Sequence, residues 1–530
     1  MIQKKKLSAT QKKSIENAAR SWSTDNMEHL PSNNNCSFLT LRDLKNLGLL
    51  DSDIIDTIDN KEISNDLKIK IISRIGNNGK SILNYEVDSK NANECTYIGS
   101  SIYVDLPDGL TPVLYDEKMN SWRVPNINEE WYDYDRQEWA NAVVLGKGKT
   151  KRPGEKVTVE GENPDALMML VYVPRYEYKI KGEYGIHTDG TVGTQELPGE
   201  IEVKFINNTQ LVADDGYILH PAFNFNGEKN GFWVGKFELS SIGTNLSSNN
   251  NLNCNQNGCT SSISNLRILP EISSLKYNDV SNFWYAIKSI ENTSSFGLSN
   301  IDAHMIKNSE WGAVAYLSQS KYGKYGNKDY SGAYREIYQN KSALTGKSNG
   351  TPSQENQNPQ CKYNDMTNLG QDSNGYKMGQ CGPGASTTGT IYGVYDMSGG
   401  LSEYVMGVFG TSSGEIYSGS STTNNSGFNG LINNDTPINN STEIPNLIYY
   451  RIYTLIDINK ACNGDICYGD ALSEVKNWYK DYAQIVNTTG PWFLRGGSYS
   501  STYYAGVFNF SSEDGASNAY NSTRIILINK

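Results

Sequence analysis

The chain has 530 residues, of which 37% are hydrophobic and 20% are charged, so it is too long for one ordinary domain and too rich in aromatic residues for a disordered chain. Its 47 basic and 58 acidic residues give a net charge of −11, which argues against a nucleic-acid partner because such partners require a basic surface. Tyrosine dominates the aromatic residues, with 35 Tyr against 13 Phe and 9 Trp. Tyrosine offers a large contact area at low entropic cost, so this composition is typical of a binding surface.

The N-terminal segment begins with a predicted helix over residues 8–29, because apolar side chains recur at helical spacing after a residue able to cap. A short amphipathic helix is predicted over 40–51, and paired strands are predicted over 67–76 and 82–88. The apolar face of the first helix contains Ile15, Ala18, Ala19 and Trp22, and its candidate caps are Ser8 and Thr10.

This order of elements, with Cys36 before the short helix and Cys95 after the strands, resembles the soluble part of type IV pilins and pseudopilins, especially the pilin-like heads of Gram-positive bacteria. The resemblance implies a pilin-like ectodomain over 1–95, with partners in a pilus or the cell envelope. In that family an apolar helix precedes the soluble one. Here the first residues are polar, so we expect that an anchor or leader preceding them has been removed.

The eight cysteines predict disulfides and an oxidising compartment, because their number is even and no CxxC metal motif occurs. We therefore expect an extracellular or cell-surface location in a bacterium, while reduced cysteines in the cytosol stay the alternative. The sequence does not determine which cysteines pair. Pairing nearest neighbours along the chain would give Cys36–Cys95, Cys254–Cys259, Cys361–Cys381 and Cys462–Cys467.

Residues 96–164 form a small aromatic module and a linker. The module contains Trp122, Trp131 and Trp139 and is too short for a core of its own, so it is interpreted as a spacer strand pair packed on a neighbour. The linker is the Gly-, Lys- and Pro-containing stretch 147–164. From 165 onward, short strands alternate with long polar loops, which is typical of a loop-rich scaffold.

Four segments follow one another in the last 365 residues or so: Phe232–Leu239, Met305–Leu317, Gly393–Val405 and Leu494–Tyr499, with a final strand over 524–528. The second is predicted to be a helix capped by Asn308 or Ser309. The order of these segments and their residue motifs resemble those of the formylglycine-generating-enzyme family, whose fold is a variant of the C-type lectin fold. The resemblance implies a C-type-lectin-like domain over 165–530 and, with the pilin-like segment, a multidomain α+β protein.

The third segment also suggests a calcium site. Asp396 and Glu403 flank a Ser-Gly-Gly turn, and two carboxylates plus inward-turned carbonyls suit Ca²⁺. The family resemblance implies a possible structural calcium held by Asp396, Gly399, Leu401 and Glu403. The open alternative is that Asp396 caps the turn and Glu403 pairs with a cation.

No catalytic residue is predicted. Enzymes of this family use a cysteine pair shortly after the fourth segment, and this chain has no cysteine after Cys467. Related sulfoxide synthases use three histidines, and no such cluster occurs among the four histidines here. The interpretation is therefore an adhesin-like binding protein. The alternatives are an enzyme with a non-cysteine mechanism, a structural pilin subunit, or a phage receptor-binding protein.

The C-terminal tail alternates apparent anchors with small polar residues and tyrosine, most of them reachable from an AAC codon by changing adenines. It resembles the variable region of proteins diversified by diversity-generating retroelements, and an ordinary exposed polar loop stays the alternative. A protein or glycan ligand fits this chemistry, with tyrosines for stacking and small polar groups for hydrogen bonds. The predicted ligand-binding residues are Tyr499, Ser501, Thr502, Tyr503, Tyr504, Asn509, Ser511, Asp514, Asn518, Tyr520 and Asn521.

Overall fold

The structure is a computed structural model, and it is strand-rich with few helices, a mixed α+β architecture. The chain forms two compact units, Met1–Tyr103 with Ile127–Glu130, and Val104–Asn126 with Trp131–Lys530. Across the described residues, no helix has both the length and the apolar character to cross a bilayer. The structure describes residues 7–25, 30–31, 36–46, 49–50, 63, 67–75, 81–87, 95–97, 102, 104–126, 129–242, 252–260, 262–350, 361–366, 370–371, 375, 377–378, 382–419, 425–433, 436–440, 442–459 and 467–530.

The first unit packs two helices on a four-stranded sheet. Helix α1 spans Ala9–Asp25 and helix α2 spans Leu41–Asn46. Ser8 caps α1, as its Oγ accepts a hydrogen bond from the Gln11 backbone N–H at 3.2 Å. The apolar face predicted for the first helix is buried against the sheet. The strands, in spatial order, are Ser81–Val87, Lys68–Ile75, Cys36–Thr40 and Thr96–Tyr97.

The second unit is built on an eight-stranded antiparallel sheet, the central sheet. Strand Gly231–Gly235 lies inside it, with Trp233 opposite Tyr172 on one side and Leu527 on the other. The predicted first segment therefore lies beside the C-terminal strand. In spatial order the strands are Ile301–Met305, Ile525–Asn529, Gly231–Gly235, Met168–Pro174, Asn141–Val144, Leu110–Asp116, Ser121–Arg123 and Lys156–Val157.

The residues interpreted as a spacer and linker contribute strands to this sheet. Strand Leu110–Asp116 pairs with Asn141–Val144, which pairs in turn with Met168–Pro174. Trp122 and Trp139 are fully buried, and the indole N–H of Trp122 donates to the Tyr363 hydroxyl at 3.2 Å. In this unit, the aromatic module is part of the main core.

A five-stranded sheet, the site sheet, carries the third and fourth predicted segments side by side. Glu403 pairs in register with Arg495, so the two segments meet strand to strand. Strand Asn521–Thr523 pairs in parallel with the strand that contains Glu403, on the side away from Arg495. The remaining order is Arg451–Tyr453, Ser402–Phe409, Trp492–Gly496 and Gly506–Glu513.

Smaller sheets complete the second unit. One has three strands, and the others are short hairpins or two-stranded pairs. The three-stranded sheet contains Ile201–Phe205, Tyr176–Ile180 and Ile218–Leu219, and the pairs are Ser240–Ser241 with Leu266–Arg267, Cys254–Asn255 with Gly258–Cys259, Lys347–Ser348 with Cys361–Lys362, Gly370–Gln371 with Lys377–Met378, and Leu431–Asn433 with Thr436–Ile438.

The helices of the second unit are α3, Val280–Lys288, α4, Asn308–Ser318, and α5, Leu455–Asn459. The predicted helix in the second segment is confirmed, but its predicted caps are wrong. Helix α4 begins after Lys307, whose backbone N–H donates to the Glu310 carboxylate at 2.8 Å. Asn308 is committed elsewhere, because its side chain contacts Tyr453 and Arg495.

Two of the predicted disulfides are present among the described residues, Cys36–Cys95 and Cys254–Cys259. Cys361 and Cys467 are also disulfide-bonded. Their predicted partners, Cys381 and Cys462, lie outside the described residues, so those two pairings stay predictions.

Candidate ligand-binding surface

A double-glycine turn after strand Trp492–Gly496 positions the first predicted binding residue. Gly496 and Gly497 both have positive φ, at 79° and 68°, which an L side chain rarely adopts. The chain then returns over the turn of the third segment, where the Tyr499 backbone N–H donates to the Gly400 carbonyl at 2.7 Å. The predicted third and fourth segments therefore support Tyr499 together.

Tyr503 and Tyr504 form an exposed aromatic pair in a single 3₁₀ turn, Thr502–Tyr504. Their ring centroids are 4.1 Å apart, and their hydroxyls are hydrogen-bonded at 2.8 Å. They are 41% and 45% exposed, although large apolar ring surfaces are usually buried. Tyr482 extends the pair, with its centroid 6.0 Å from that of Tyr504.

A second pair packs Tyr499 against Tyr520, with ring centroids 5.8 Å apart. The Tyr520 carbonyl accepts from the Ser402 backbone N–H at 2.8 Å, which ties this end of the tail to the site sheet. We call the five residues Tyr482, Tyr499, Tyr503, Tyr504 and Tyr520 the tyrosine surface. All of them come from, or pack against, the segment 499–504.

Buried polar groups hold the tyrosine surface from below. The Arg495 guanidinium donates to the Asp470 and Ala471 carbonyls at 3.0 and 2.8 Å. The Asp481 carboxylate accepts from the Phe508 backbone N–H at 2.9 Å, and burial raises the pKa of Asp481 well above its ordinary value. Asn509 donates to the Tyr504 carbonyl at 2.6 Å, directly under the exposed pair.

The predicted binding residues divide by burial. Asn509 and Asn521 are each 3% exposed, so their side chains lie beneath the surface and not on it. The physical reason is strand position, since both lie in strands of the site sheet. The exposed members are Thr502, Tyr503, Tyr504 and Tyr520, and the half-buried members are Tyr499, Ser501, Ser511, Asp514 and Asn518.

Several half-buried members are already engaged. Asp514 accepts from the Asn425 side chain at 2.6 Å, and Asn518 accepts from the Tyr520 backbone N–H at 2.9 Å.

Tyr482 was missed by sequence reasoning, because it lies 17 residues before Tyr499 and no local pattern marks it. Its backbone joins the surface through hydrogen bonds to Tyr504 and Phe510.

The carboxylates of the predicted calcium site are held by other groups. Glu403 makes a buried, two-bond pair with Arg524, at 2.5 and 3.0 Å. Asp396 accepts from the Asn340 side chain and the Gly346 backbone N–H, both at 2.9 Å. A calcium ion at Glu403 would share its ligand with a guanidinium, so this arrangement does not fit the ion.

The main-chain members of that site lie in a tight turn. Gly399 and Gly400 have positive φ, and the Leu401 backbone N–H donates to the Glu238 carboxylate at 2.8 Å. Among the residues that the structure describes, no group of three or more His, Cys, Asp or Glu could hold a metal ion. The Glu403 contacts correspond to the alternative in which this residue pairs with a cation. The alternative role of Asp396 as a cap of the turn is not what the contacts give, because its carboxylate accepts hydrogen bonds from Asn340 and Gly346, outside the turn.

Comparison with known proteins found no matching family model and no matching curated protein.

Proposed function

We propose that this protein is a ligand-binding protein of the bacterial cell surface, adhesin-like, which binds through the tyrosine surface. One observation carries the proposal. Tyr503 and Tyr504 remain exposed on a segment whose flanking residues Arg495 and Phe508 are fully buried. Half-buried Tyr499 of the same segment packs against exposed Tyr520. Rigidly held tyrosines bind with little loss of side-chain entropy, which is the property that favours them in binding loops.

The same proposal includes a fold assignment. The second unit would be a non-catalytic domain of the formylglycine-generating-enzyme type, and the first would be a pilin-like base. The contact of the four sequence segments around Arg495 and Arg524 supports the former assignment, because each segment supplies a partner to this core. Retroelement diversification of the tail is part of the same proposal, because tyrosine and small polar residues occupy its exposed positions, such as Thr502, Tyr503, Tyr504 and Tyr520.

The test is a binding screen with the fluorescently labelled full chain on a printed array of glycans and bacterial surface proteins. Tyr503→Ala together with Tyr504→Ala should weaken every positive spot at least tenfold, about 1.4 kcal/mol, because stacking area is lost. The matched control is Leu211→Ala with Val212→Ala, which removes apolar area that is 65% and 79% exposed elsewhere on the same unit.

The control variant should bind as the wild type does. Circular dichroism should show that both variants keep the wild-type structure. Unchanged binding by the tyrosine variant, or loss of structure in it, would contradict the proposal.

A further inference from the structure

A polar groove of about 590 Å³ lies beside the Cys254–Cys259 hairpin. We call it the hairpin groove. Its volume falls within the range of small-molecule sites, roughly 300–1,000 Å³. The residues that matter for its chemistry are Asn255, Asn257, Ser262, Tyr285, Ser289 and Asn292.

Both walls of the groove are fixed to the body of the second unit. One wall is the hairpin, closed by its disulfide and held by the Cys254 backbone N–H, which donates to the Asn282 side chain at 2.7 Å. The other wall is the end of α3 and the 3₁₀ turn that follows, Ser289–Asn292. The groove is therefore preformed, and a ligand would not need to order either wall.

The groove carries no unbalanced charge on the residues that line it. Lys288 is the one charged side chain among the described lining residues. Its ammonium group is bound by Glu291 at 2.6 Å and by Asp302 at 2.8 Å, so its charge is balanced within the protein. An anionic ligand would find no free cation here, and a cationic ligand would find no carboxylate on the lining residues.

Hydroxyl and amide groups supply the hydrogen-bonding capacity. The Ser289 hydroxyl donates to the Tyr285 carbonyl at 2.7 Å, which leaves its oxygen as an acceptor. The Asn255 side-chain oxygen accepts from the Asn257 backbone N–H at 2.8 Å, which leaves its NH₂ group as a donor. Exposed Asn257 and Asn292 can each donate and accept.

One aromatic ring belongs to the same lining. Tyr285 is half-buried, and its hydroxyl donates to the Glu443 carbonyl at 2.8 Å, which fixes the ring. A fixed ring beside paired donors and acceptors matches the alternating C–H faces and hydroxyl edges of a sugar. An apolar ligand would leave the amides without partners, which costs binding free energy.

We propose that the hairpin groove binds a neutral saccharide. The site is separate from the tyrosine surface, and its function does not depend on the function proposed there. The ligand class follows from the balanced charge, the amide and hydroxyl lining, and the single fixed ring.

Saturation-transfer-difference NMR tests this with the full chain and four neutral probes: maltose, lactose, cellobiose and chitobiose. At least one probe should give a signal in the wild type. Asn257→Ala with Asn292→Ala should reduce that signal at least fivefold. Asn208→Ala, which removes an exposed amide elsewhere on the unit, should leave it unchanged, and so should Tyr503→Ala with Tyr504→Ala.

Each other outcome counts against the proposal. No signal from any neutral probe would overturn it, as would a signal that persists in the Asn257/Asn292 variant. Loss of the signal in the Tyr503/Tyr504 variant alone would assign the saccharide to the tyrosine surface. A stronger signal from an acidic saccharide, tested as N-acetylneuraminic acid, would show that the ligand is not neutral.

Discussion

At the scale of single residues, buried charge is the unusual property of this protein. Glu238, Asp396 and Glu403 are all buried in the second unit, and Arg524 is the cation bound to Glu403. Burial and then the neighbouring carboxylates raise the pKa of Glu238 well above its ordinary value, while burial raises the pKa of Glu403 to about 7 despite Arg524. Between the pKa of an unfolded glutamate and the raised folded values, Glu238 and Glu403 therefore keep protons in the folded state that they release on unfolding.

Glu238→Gln tests this cluster. A raised carboxyl pKa means that stability is fully present below the unfolded pKa, about 4.3, and falls as pH rises toward the folded pKa. Gln keeps an acceptor for Leu401 but carries no charge. The free energy of unfolding of the variant should therefore exceed that of the wild type by about 1.4 kcal/mol or more at pH 8, and the two values should match near pH 4.5.

Urea unfolding at both pH values measures the Glu238→Gln effect. Glu162→Gln, at an exposed position, is the control and should show no pH-dependent gain. A loss of stability in Glu238→Gln at pH 8 would contradict the expected repulsion among the carboxylates.

His304 carries the opposite kind of charge in the same unit. Burial by itself lowers the pKa of His304, but Glu310 and Asp302 together raise it above its ordinary value, and they contact the two ring nitrogens at 3.0 and 2.6 Å. A raised histidine pKa gives stability that is present below the unfolded pKa, about 6.5, and lost as pH rises through the folded pKa.

His304→Gln should therefore cost about 3 kcal/mol at pH 6, because it removes one partner of a buried ion pair. The cost should shrink as pH rises above the folded pKa, where the wild-type ring is neutral. Thermal unfolding from pH 6 to pH 10 measures the difference. His187→Gln, at a half-buried position, is the control, and a pH-independent cost in His304→Gln would contradict the assignment.

At the scale of elements, the turn before strand Ser402–Phe409 determines how the site sheet meets its surroundings. Gly399 has a φ of 77°, and a Cβ at this position would lie 2.2 Å from the Asn340 carbonyl oxygen. The Gly400 backbone N–H donates to that same carbonyl at 2.8 Å. A side chain at Gly399 would have to displace this hydrogen bond as well as adopt the left-handed conformation.

Gly399→Ala should lower the free energy of unfolding by at least about 2 kcal/mol more than Gly148→Ala does. Gly148 is the matched control, because its φ is 72° but nothing lies within 4 Å of an added Cβ. The difference between the variants isolates the steric contact from the backbone strain. Equal costs in chemical denaturation would show that the turn can move away from Asn340.

At the scale of the whole molecule, the two compact units have separate apolar cores. We expect two calorimetric transitions, since each unit buries its own core. The disulfide Cys36–Cys95 spans 59 residues and lies in the first unit, whereas Cys254–Cys259 spans 5 and lies in the second. Restricting the unfolded chain stabilises more when the closed loop is longer.

Replacing Cys36 and Cys95 by Ser should destabilise the first unit by about 4 kcal/mol and leave the second transition in place. Replacing Cys254 and Cys259 by Ser is the control and should affect only the second unit, by about 2 kcal/mol. Differential scanning calorimetry separates these effects. A shift of both transitions by either pair of substitutions would contradict independent unfolding.

Local patterns in the sequence determined several elements of this protein: a helix, a strand pair, a disulfide and the segment with exposed tyrosines. Helical spacing of apolar residues predicted α1, alternation predicted strands Lys68–Ile75 and Ser81–Val87, and the short cysteine loop at 254–259 predicted its own disulfide. Tyrosine and small polar residues marked the segment that carries the exposed pair at 503 and 504. These features depend on neighbours within a few residues, which is why sequence alone sufficed.

Contacts between distant residues were decided only by the tertiary structure. Arg524 lies 121 residues from Glu403, and their pairing engages a carboxylate that the motif around Asp396 and Glu403 suggested for calcium. Strand pairing buried Asn509 and Asn521, and it brought Tyr482 beside Tyr504. The aromatic module within 96–164 joined the central sheet because its strand Asn141–Val144 pairs with Met168–Pro174 on one side and with Leu110–Asp116 on the other. The physical reason is common to all of them: burial and pairing are set by the folded partner, and no local pattern in the chain specifies that partner.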